Sequence, residues 1–596
     1  MTVLGTRSFN YTWSAARNDL TAGATVAAIA VPQAMAYALI AGVDPRYGLY
    51  SAIVVTIVAA IFGSSSHLIN GPTNAISLVV FSALAPFVGH VGGFQALFLL
   101  GMIAGTLQIF IGVFKLGDLT RYVSDSVVLG FMAGAGFLIA LGQVGNLVGA
   151  AKKGTGDQSV LVGTWLTLTQ ATINPRAILL GCGTIVVVLL FHKLITKHRL
   201  PRLDMLAGLI LASFVAAFLG WTSPNPSGTT TVSVVGAIPA ALPSFHVPQI
   251  DFAWFQRLIK GSVAVALLGL LEALAVARSI ATYSREPLDY NRQCLAEGVG
   301  NLVGGFFQSL PGSGSLTRSA INFQAGAVTR ASGVYSGIIV AAVVVLLGPY
   351  ARFIPKSVLA GLLFITAARL IDWKRLGYAI RASRYDAALV AVTAFTAIFI
   401  DVEDSILVGV ALSILLYVPR ASRLGMRELI ITPERVVRER RAGDQRETSL
   451  LIYDFEGELF FAAAPQLLHY LNEITKETER SGIKYVVLRL KRTRNADVVA
   501  VEHIERFLRD AHLRDVTVCL AGIRPDLLRL FTNTGLTRWF PAEQVFPQED
   551  QPFSATLHAV RYANQLANAG FSSNGSHHAN GKPIHTDDDE PSYYLV

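Results

Sequence analysis

The feature that most constrains this chain is a succession of apolar runs from about Leu20 to Val418. Roughly 20 residues of α-helix, rising about 1.5 Å each, cross a hydrocarbon core of about 30 Å. On that ruler the runs divide into about fourteen spans. They lie near 20–40, 48–63, 73–89, 91–114, 125–148, 176–196, 203–221, 260–283, 291–308, 317–329, 333–350, 355–371, 384–400 and 404–419. Inside lipid every backbone polar group needs an internal partner, so runs of this length read as helices. Composition agrees, because 15% of the residues are charged, against about a quarter in a soluble domain. The net charge of +9 does not mark a nucleic-acid binder, since the basic residues sit between spans and not on one face. The chain therefore reads as a multi-span α-helical protein whose solvent is the lipid bilayer.

The basic residues set its orientation. Lys193, Lys197, Arg199 and Arg202 separate spans six and seven, and Arg278, Arg285 and Arg292 lie at or after the end of span eight. Lys374, Arg375, Arg381 and Arg384 separate spans twelve and thirteen, and Arg420, Arg423 and Arg427 follow span fourteen. All fall on one side if the N-terminus starts inside. The opposite side holds Thr222–Asp251, which has no Lys or Arg, and the acidic run Asp401-Val402-Glu403-Asp404. Both termini are then cytoplasmic, in an inner or plasma membrane, and Trp221 and Trp254 fall at the outer interface. Residues 1–19 read as a polar leader with Arg7 and Arg17, not as a cleaved secretory signal.

Beyond Met426 the pattern changes. The membrane domain, 20–425, gives way to a charged linker, 426–446, and then to alternating strands and helices over 447–565. SLLIYDFEG, ELFFA, IKYVVLRL and VTVCLAGI read as strands; PQLLHYLNEITKETER, VAVEHIERFLRDAH and PDLLRLFTNTGL read as helices. That alternation predicts a small α/β domain. The tail, 566–596, is polar and reads as disordered, with His577 and His578 solvated rather than metal-bound. Cys182, Cys294 and Cys519 are scattered and read as packing residues. No Walker-type run, HExxH or paired cysteines occurs. No enzyme activity, ATP hydrolysis, cofactor or metal is expected.

Within this frame one residue stands out. Glu272 sits near the middle of the run VAVALLGLLEALAVARSIATY, and a carboxylate at that depth faces a cavity or a partner. A weak internal echo supplies more. SVVLG opens span five and SVLAG opens span twelve; NGPTNA opens span three and GSGSLTRS opens span ten. Each partner lies seven spans along, and an odd offset inverts orientation, as in transporters built from inverted repeats. The openings of spans three and ten are Gly-, Pro- and Ser-rich, so chain reaches mid-membrane there without regular helix. Two helix N-termini then face each other, and their free N–H groups and positive dipole ends favour an anion. Thr73, Asn74, Ser315 and Thr317 add donors, and Arg318 adds fixed positive charge that Glu272 or a bound anion would balance. In span one Pro32 frees a backbone carbonyl, and Gln33 and Tyr37 follow at i and i+4 on one face. Gly101, Gly105, Gly130, Gly134 and Gly136 read as close helix packing.

These residues carry a resemblance. AAIAVPQAMAYALIAGVDPRYGLYSA at 27–52, LLEALAVARSIA at 270–281 and above all GNLVGGFFQSLPGSGSLTRSAIN at 300–322 resemble the SulP family, the sulfate permeases and their prestin-type animal relatives. The resemblance covers nearly the whole chain, the C-terminal part resembling a STAS domain. It implies a seven-plus-seven inverted repeat of the uracil-transporter type, with spans 1–4 and 8–11 as core and 5–7 and 12–14 as gate. It implies an anion held by Gln33, Tyr37, Thr73, Asn74, Ala75, Ser315, Leu316, Thr317 and Arg318, elevator-like movement, and a homodimer. A glutamate at the Glu272 position implies proton coupling. Burial disfavours a charged carboxylate, which suits it to carrying a proton. Proton-coupled sulfate uptake is the leading expectation. Sodium-coupled bicarbonate uptake, an uncoupled exchanger or channel, and a signalling platform are the alternatives. Soluble STAS relatives resemble one another in a phosphorylated Asp-Ser, whereas here Asp497 precedes Val498, which weighs against signalling.

Overall fold

The computed structural model describes residues 11–572, apart from 88–92, 118–122, 152–158, 199–202, 225–229, 249–251, 433–436, 442–443, 445–449 and 552. The chain forms two compact units, which divide between Ile414 and Leu415. In the first, the helices are α1 (Trp13–Ile40), α2 (Pro45–Phe62), α3 (Asn74–Leu84), α4 (Gly93–Val113), α5 (Asp125–Val148), α6 (Val160–Gln170), α7 (Pro175–His198) and α8 (Asp204–Phe218). They continue with α9 (Phe252–Ser284), α10 (Tyr290–Phe306), α11 (Leu316–Gln324), α12 (Ala331–Leu347), α13 (Lys356–Leu370), α14 (Trp373–Ala382), α15 (Arg384–Phe399) and α16 (Val402–Ala421), the last crossing the division. Two short strands, β1 (Asn70–Gly71) and β2 (Ser313–Gly314), interrupt them.

Every expected span overlaps a helix. Eight helices among the described residues are long and apolar enough to cross a membrane by themselves, and the others are shorter. Helices α6 and α14 were not expected, because a search for long apolar runs passes over short or amphipathic segments. Helix α1 starts at Trp13, inside the expected leader. Thr12 caps it by accepting from the Ala15 N–H. Helix α2 starts where Asp44 accepts from the Arg46 N–H and Pro45 takes the first helical position, as its missing donor allows.

Packing repeats with the seven-span offset. Helix α1 packs on α11 and α12 as α9 packs on α3 and α4; α2 packs on α12 as α10 packs on α4; α5 packs on α15 as α13 packs on α7. Glycine permits the closest of these contacts. A Cβ at Gly105 would stand 2.5 Å from Leu302 N, and one at Gly130 would stand 2.6 Å from Val390 O.

The second unit is an α/β domain. Its strands are β3 (Gly425–Ile431), β4 (Val437–Glu439), β5 (Leu450–Glu458), β6 (Tyr485–Arg494), β7 (Thr517–Ile523) and β8 (Val545–Pro547). They form one sheet in the order β4-β3-β5-β6-β7-β8, parallel from β5 to β8. Helices α17 (Ala464–Ser481), α18 (Val498–Leu513) and α19 (Pro525–Asn533) contribute to one core, and α20 (Ser554–Ser572) contributes to a second. Three expectations are corrected. The linker 426–446 contains the hairpin β3–β4, which pairs β3 with β5. ELFFA is not a strand: β5 ends at Glu458 and a 3-10 turn follows at Phe461–Ala463. The tail is helical as far as Ser572, because Ala559, Val560 and Ala563 bury against the sheet. His577, His578 and the rest of the tail, like Arg7 of the leader, lie outside the described residues. Cys182 is exposed, so it packs no core, whereas Cys294 and Cys519 are buried.

Candidate functional site

The interrupted third and tenth spans meet. Strands β1 and β2 pair antiparallel, Asn70 with Gly314 and Gly71 with Ser313. Each strand is followed by a capped helix. Thr73 Oγ1 accepts from the Ile76 N–H at 3.4 Å at the start of α3, and Ser315 Oγ accepts from the Arg318 N–H at 3.4 Å at the start of α11. The pairing of the strands therefore brings together two helix N-termini, as the Gly-rich openings predicted. Gly71 has φ of +134°, a conformation open to glycine and strained for other residues.

Arg318 is 1% exposed. Its Nη2 donates to the Pro72 carbonyl at 2.9 Å, while Nε and Nη1 are buried without a partner. An unpartnered guanidinium nitrogen in such a place is costly, and two at once describe a position that an anion would satisfy. Glu272, on α9, does not supply that partner. Its Oε2 accepts from Thr73 Oγ1 at 3.0 Å, so the carboxylate is tied to the cap of α3. Ser313 Oγ donates to the Gly269 carbonyl at 2.8 Å, which fixes β2 to the same helix, α9.

The remaining expected residues divide. Tyr37 is buried. Gln33, also buried, turns toward α8: its Nε2 donates to Met205 Sδ at 3.9 Å, and its Oε1 has no partner. Asn74 Oδ1 accepts from the Ala75 N–H at 3.0 Å, so that first-turn donor is already engaged. Leu316 and Thr317 are exposed beside buried Ser315 and Arg318.

Sequence reasoning missed a second polar layer. Asn70 Nδ2 donates to Glu297 Oε1 at 2.7 Å, and Gln293 Nε2 donates to the same oxygen at 3.0 Å. Ser319 Oγ accepts from the Ile69 N–H at 2.8 Å, and Asn301 Oδ1 accepts from the Gly312 N–H at 2.8 Å. The signal that exposed Glu272, a lone carboxylate inside an apolar run, was also present at Glu297 in span nine.

Comparison with known proteins agrees with this architecture. The model of the sulfate permease family matches residues 17–393, and that of the STAS domain matches 443–551. The chain belongs to the sulfate permease family. It is thus one of a family of transporters, not of enzymes. It is 28% identical over 572 residues, 93% of this chain and 82% of the other, to the protein named sulfate transporter 4.1, chloroplastic, of Arabidopsis thaliana. The inward-facing structure of the murine anion transporter Slc26a9 shares the fold with a TM-score of 0.82 at 18% identity, covering 95% of this chain and 94% of that one. The transmembrane domain of a cyanobacterial bicarbonate transporter, BicA, aligns with a TM-score of 0.57 at 25% identity, covering 68% of this chain and 97% of that one.

Proposed function

We propose that the membrane domain carries a small inorganic anion, sulfate in the first place, together with a proton, in an elevator-type alternating-access cycle. The observation that carries this reading is the buried meeting of two helix N-termini with an arginine that has two unpartnered nitrogens. A helix end contributes about 0.3–1 kcal/mol toward an anion, and a charge-assisted hydrogen bond about 1.5–3 kcal/mol. Arg318 therefore decides affinity and the helix ends supply direction. The binding set we assign is Thr73, Asn74, Ala75, Ser315, Leu316, Thr317 and Arg318, walled by Tyr37 and Gln33.

Glu272 couples the proton to the anion through Thr73. With the carboxylate charged, the Thr73 hydroxyl hydrogen is committed to Glu272. A protonated Glu272 donates to Thr73 Oγ1 instead, and the hydroxyl hydrogen turns to the anion. Protonation also removes a negative charge beside the site. In the elevator, α1–α4 with α9–α12 move as the core against α5, α7 and α8 with α13, α15 and α16. The Gln33–Met205 contact, which joins α1 to α8, breaks in that motion. Cytoplasmic termini, a plasma-membrane location and a homodimer belong to the same reading.

The likeness to a bicarbonate transporter favours bicarbonate as the anion of one second reading, in which uptake is coupled to sodium and Glu272 holds the cation. The test is radiolabelled sulfate uptake into proteoliposomes with and without an inward proton gradient, for wild type and Glu272→Gln. Gradient-stimulated uptake that loses its pH dependence in the variant is expected. Uptake that follows sodium and ignores protons selects the second reading, and absence of sulfate flux removes sulfate.

A further inference from the structure

A second carboxylate lies one polar layer away from Glu272. Glu297, on α10, is 0% exposed. Among the described residues no cation pairs with it. Its Oε1 takes the Asn70 and Gln293 amides, and its Oε2 is buried without a partner. The elements packed on α10 do not neutralise it. Helix α4 carries no ionisable residue, and the one charged residue of α2, Arg46, lies at that helix's first turn with Asp44 and Tyr47. Helix α9 offers Arg257, Lys260, Glu272, Arg278 and Tyr283; Lys260 pairs with Asp404 and Arg278 lies over the Tyr290 ring. On α10 itself the ionisable neighbours are Tyr290, Arg292 and Cys294; Arg292 is engaged with the Phe62 carbonyl. A carboxylate so placed is costly to keep charged in both halves of a cycle.

The surroundings accommodate both protonation states. Asn70 Oδ1 is also buried without a partner. Turning the Asn70 amide over presents that oxygen to Glu297, where it accepts the hydrogen of a protonated carboxyl. Asn70 is in turn a member of β1: its carbonyl accepts from Thr56 Oγ1 at 2.7 Å and its backbone pairs with Gly314. A polar route also leads outward. The half-buried Ser64 donates to Gln293 Oε1 from its N–H at 3.1 Å and from its hydroxyl at 3.4 Å, and Gln293 reaches Glu297.

We propose that Glu297 is a second proton-binding carboxylate of the transport cycle, so that a divalent anion travels with two protons. This rests on the proton-coupled reading above and specifies its stoichiometry. The charge balance is direct. Empty, the site holds Arg318 against two carboxylates, a net single negative charge. Loaded with a dianion, with one proton added to Glu272 and one to Glu297, it again holds a net single negative charge. The core then crosses in both directions with the same charge, and transport ignores membrane potential.

The test is the steady-state accumulation ratio of radiolabelled sulfate in proteoliposomes of the full chain, with the potential clamped by potassium and an ionophore. With two protons, about a tenfold proton gradient sustains about a hundredfold sulfate accumulation at any potential. Glu297→Gln, which keeps an amide in place of the carboxylate, is expected to lower this to about tenfold at zero potential and make it potential-dependent. Sulfate counterflow without a gradient checks that the variant is folded. About tenfold accumulation in wild type overturns the proposal and leaves the single-carboxylate reading standing, whether or not the variant folds. Hundredfold accumulation retained by Glu297→Gln also overturns it. Absence of proton-driven accumulation in wild type overturns the underlying reading as well.

Discussion

At the scale of the residue, the site is a set of small geometric necessities around one guanidinium. A Cβ on Gly71 would stand 3.1 Å from Thr56 Oγ1 and 3.2 Å from Arg318 Nη1, in a backbone conformation that costs other residues about 1–3 kcal/mol. Gly71→Ala is therefore expected to displace Arg318 and weaken equilibrium sulfate binding by about tenfold or more, about 1.4 kcal/mol. Unchanged affinity in a direct binding titration would remove Gly71 from the account. Thr73, Ser315, Arg318 and Glu272 were legible because cap residues, a buried cation and a lone carboxylate are conspicuous in apolar surroundings. Asn70 and Gln293 were not, since an amide in a loop or at a helix start carries no such contrast. Their importance comes from what they touch, Glu297, a residue 227 positions from Asn70.

At the scale of the element, the α/β domain shows how register creates an interaction. In β5 and β6, Asp454 stands opposite Arg489, and the two bond at 2.7 Å with exposures of 4% and 3%. Burial raises the Asp454 carboxyl from its ordinary value despite Arg489, so the pair is held by its surroundings as much as by attraction. Arg489→Met leaves a buried, largely unpaired carboxylate and is expected to destabilise the domain by about 3–5 kcal/mol, read as an earlier unfolding transition in denaturant. The neighbouring Asp497 caps α18 at Ala500 and also accepts from the Phe461 N–H at 2.6 Å. It is a structural junction that ties the start of α18 to the turn after β5. Amphipathic α14 and strand β3 escaped sequence reasoning for one reason: each is stabilised by a partner surface and not by its own apolar content.

At the scale of the molecule, orientation can be tested directly. In a Cys182→Ser background, Ala240→Cys, exposed after the seventh span, is expected to react with a membrane-impermeant maleimide on intact cells. Glu473→Cys, exposed on α17, is expected to react only after permeabilisation. The reverse pattern inverts the topology.

The sequence by itself determined where the apolar runs lie, the break in two of them, the inverted echo and the change to an α/β domain. These follow from local quantities: apolar length, and glycine and proline at fixed places. Only the tertiary structure decided which polar groups share a partner. It tied Glu272 to Thr73 and not to Arg318, left two arginine nitrogens open, and joined Glu297 to β1. The physical reason is that a hydrogen bond depends on distances of a few tenths of an ångström between residues far apart in the chain, and no local pattern encodes them.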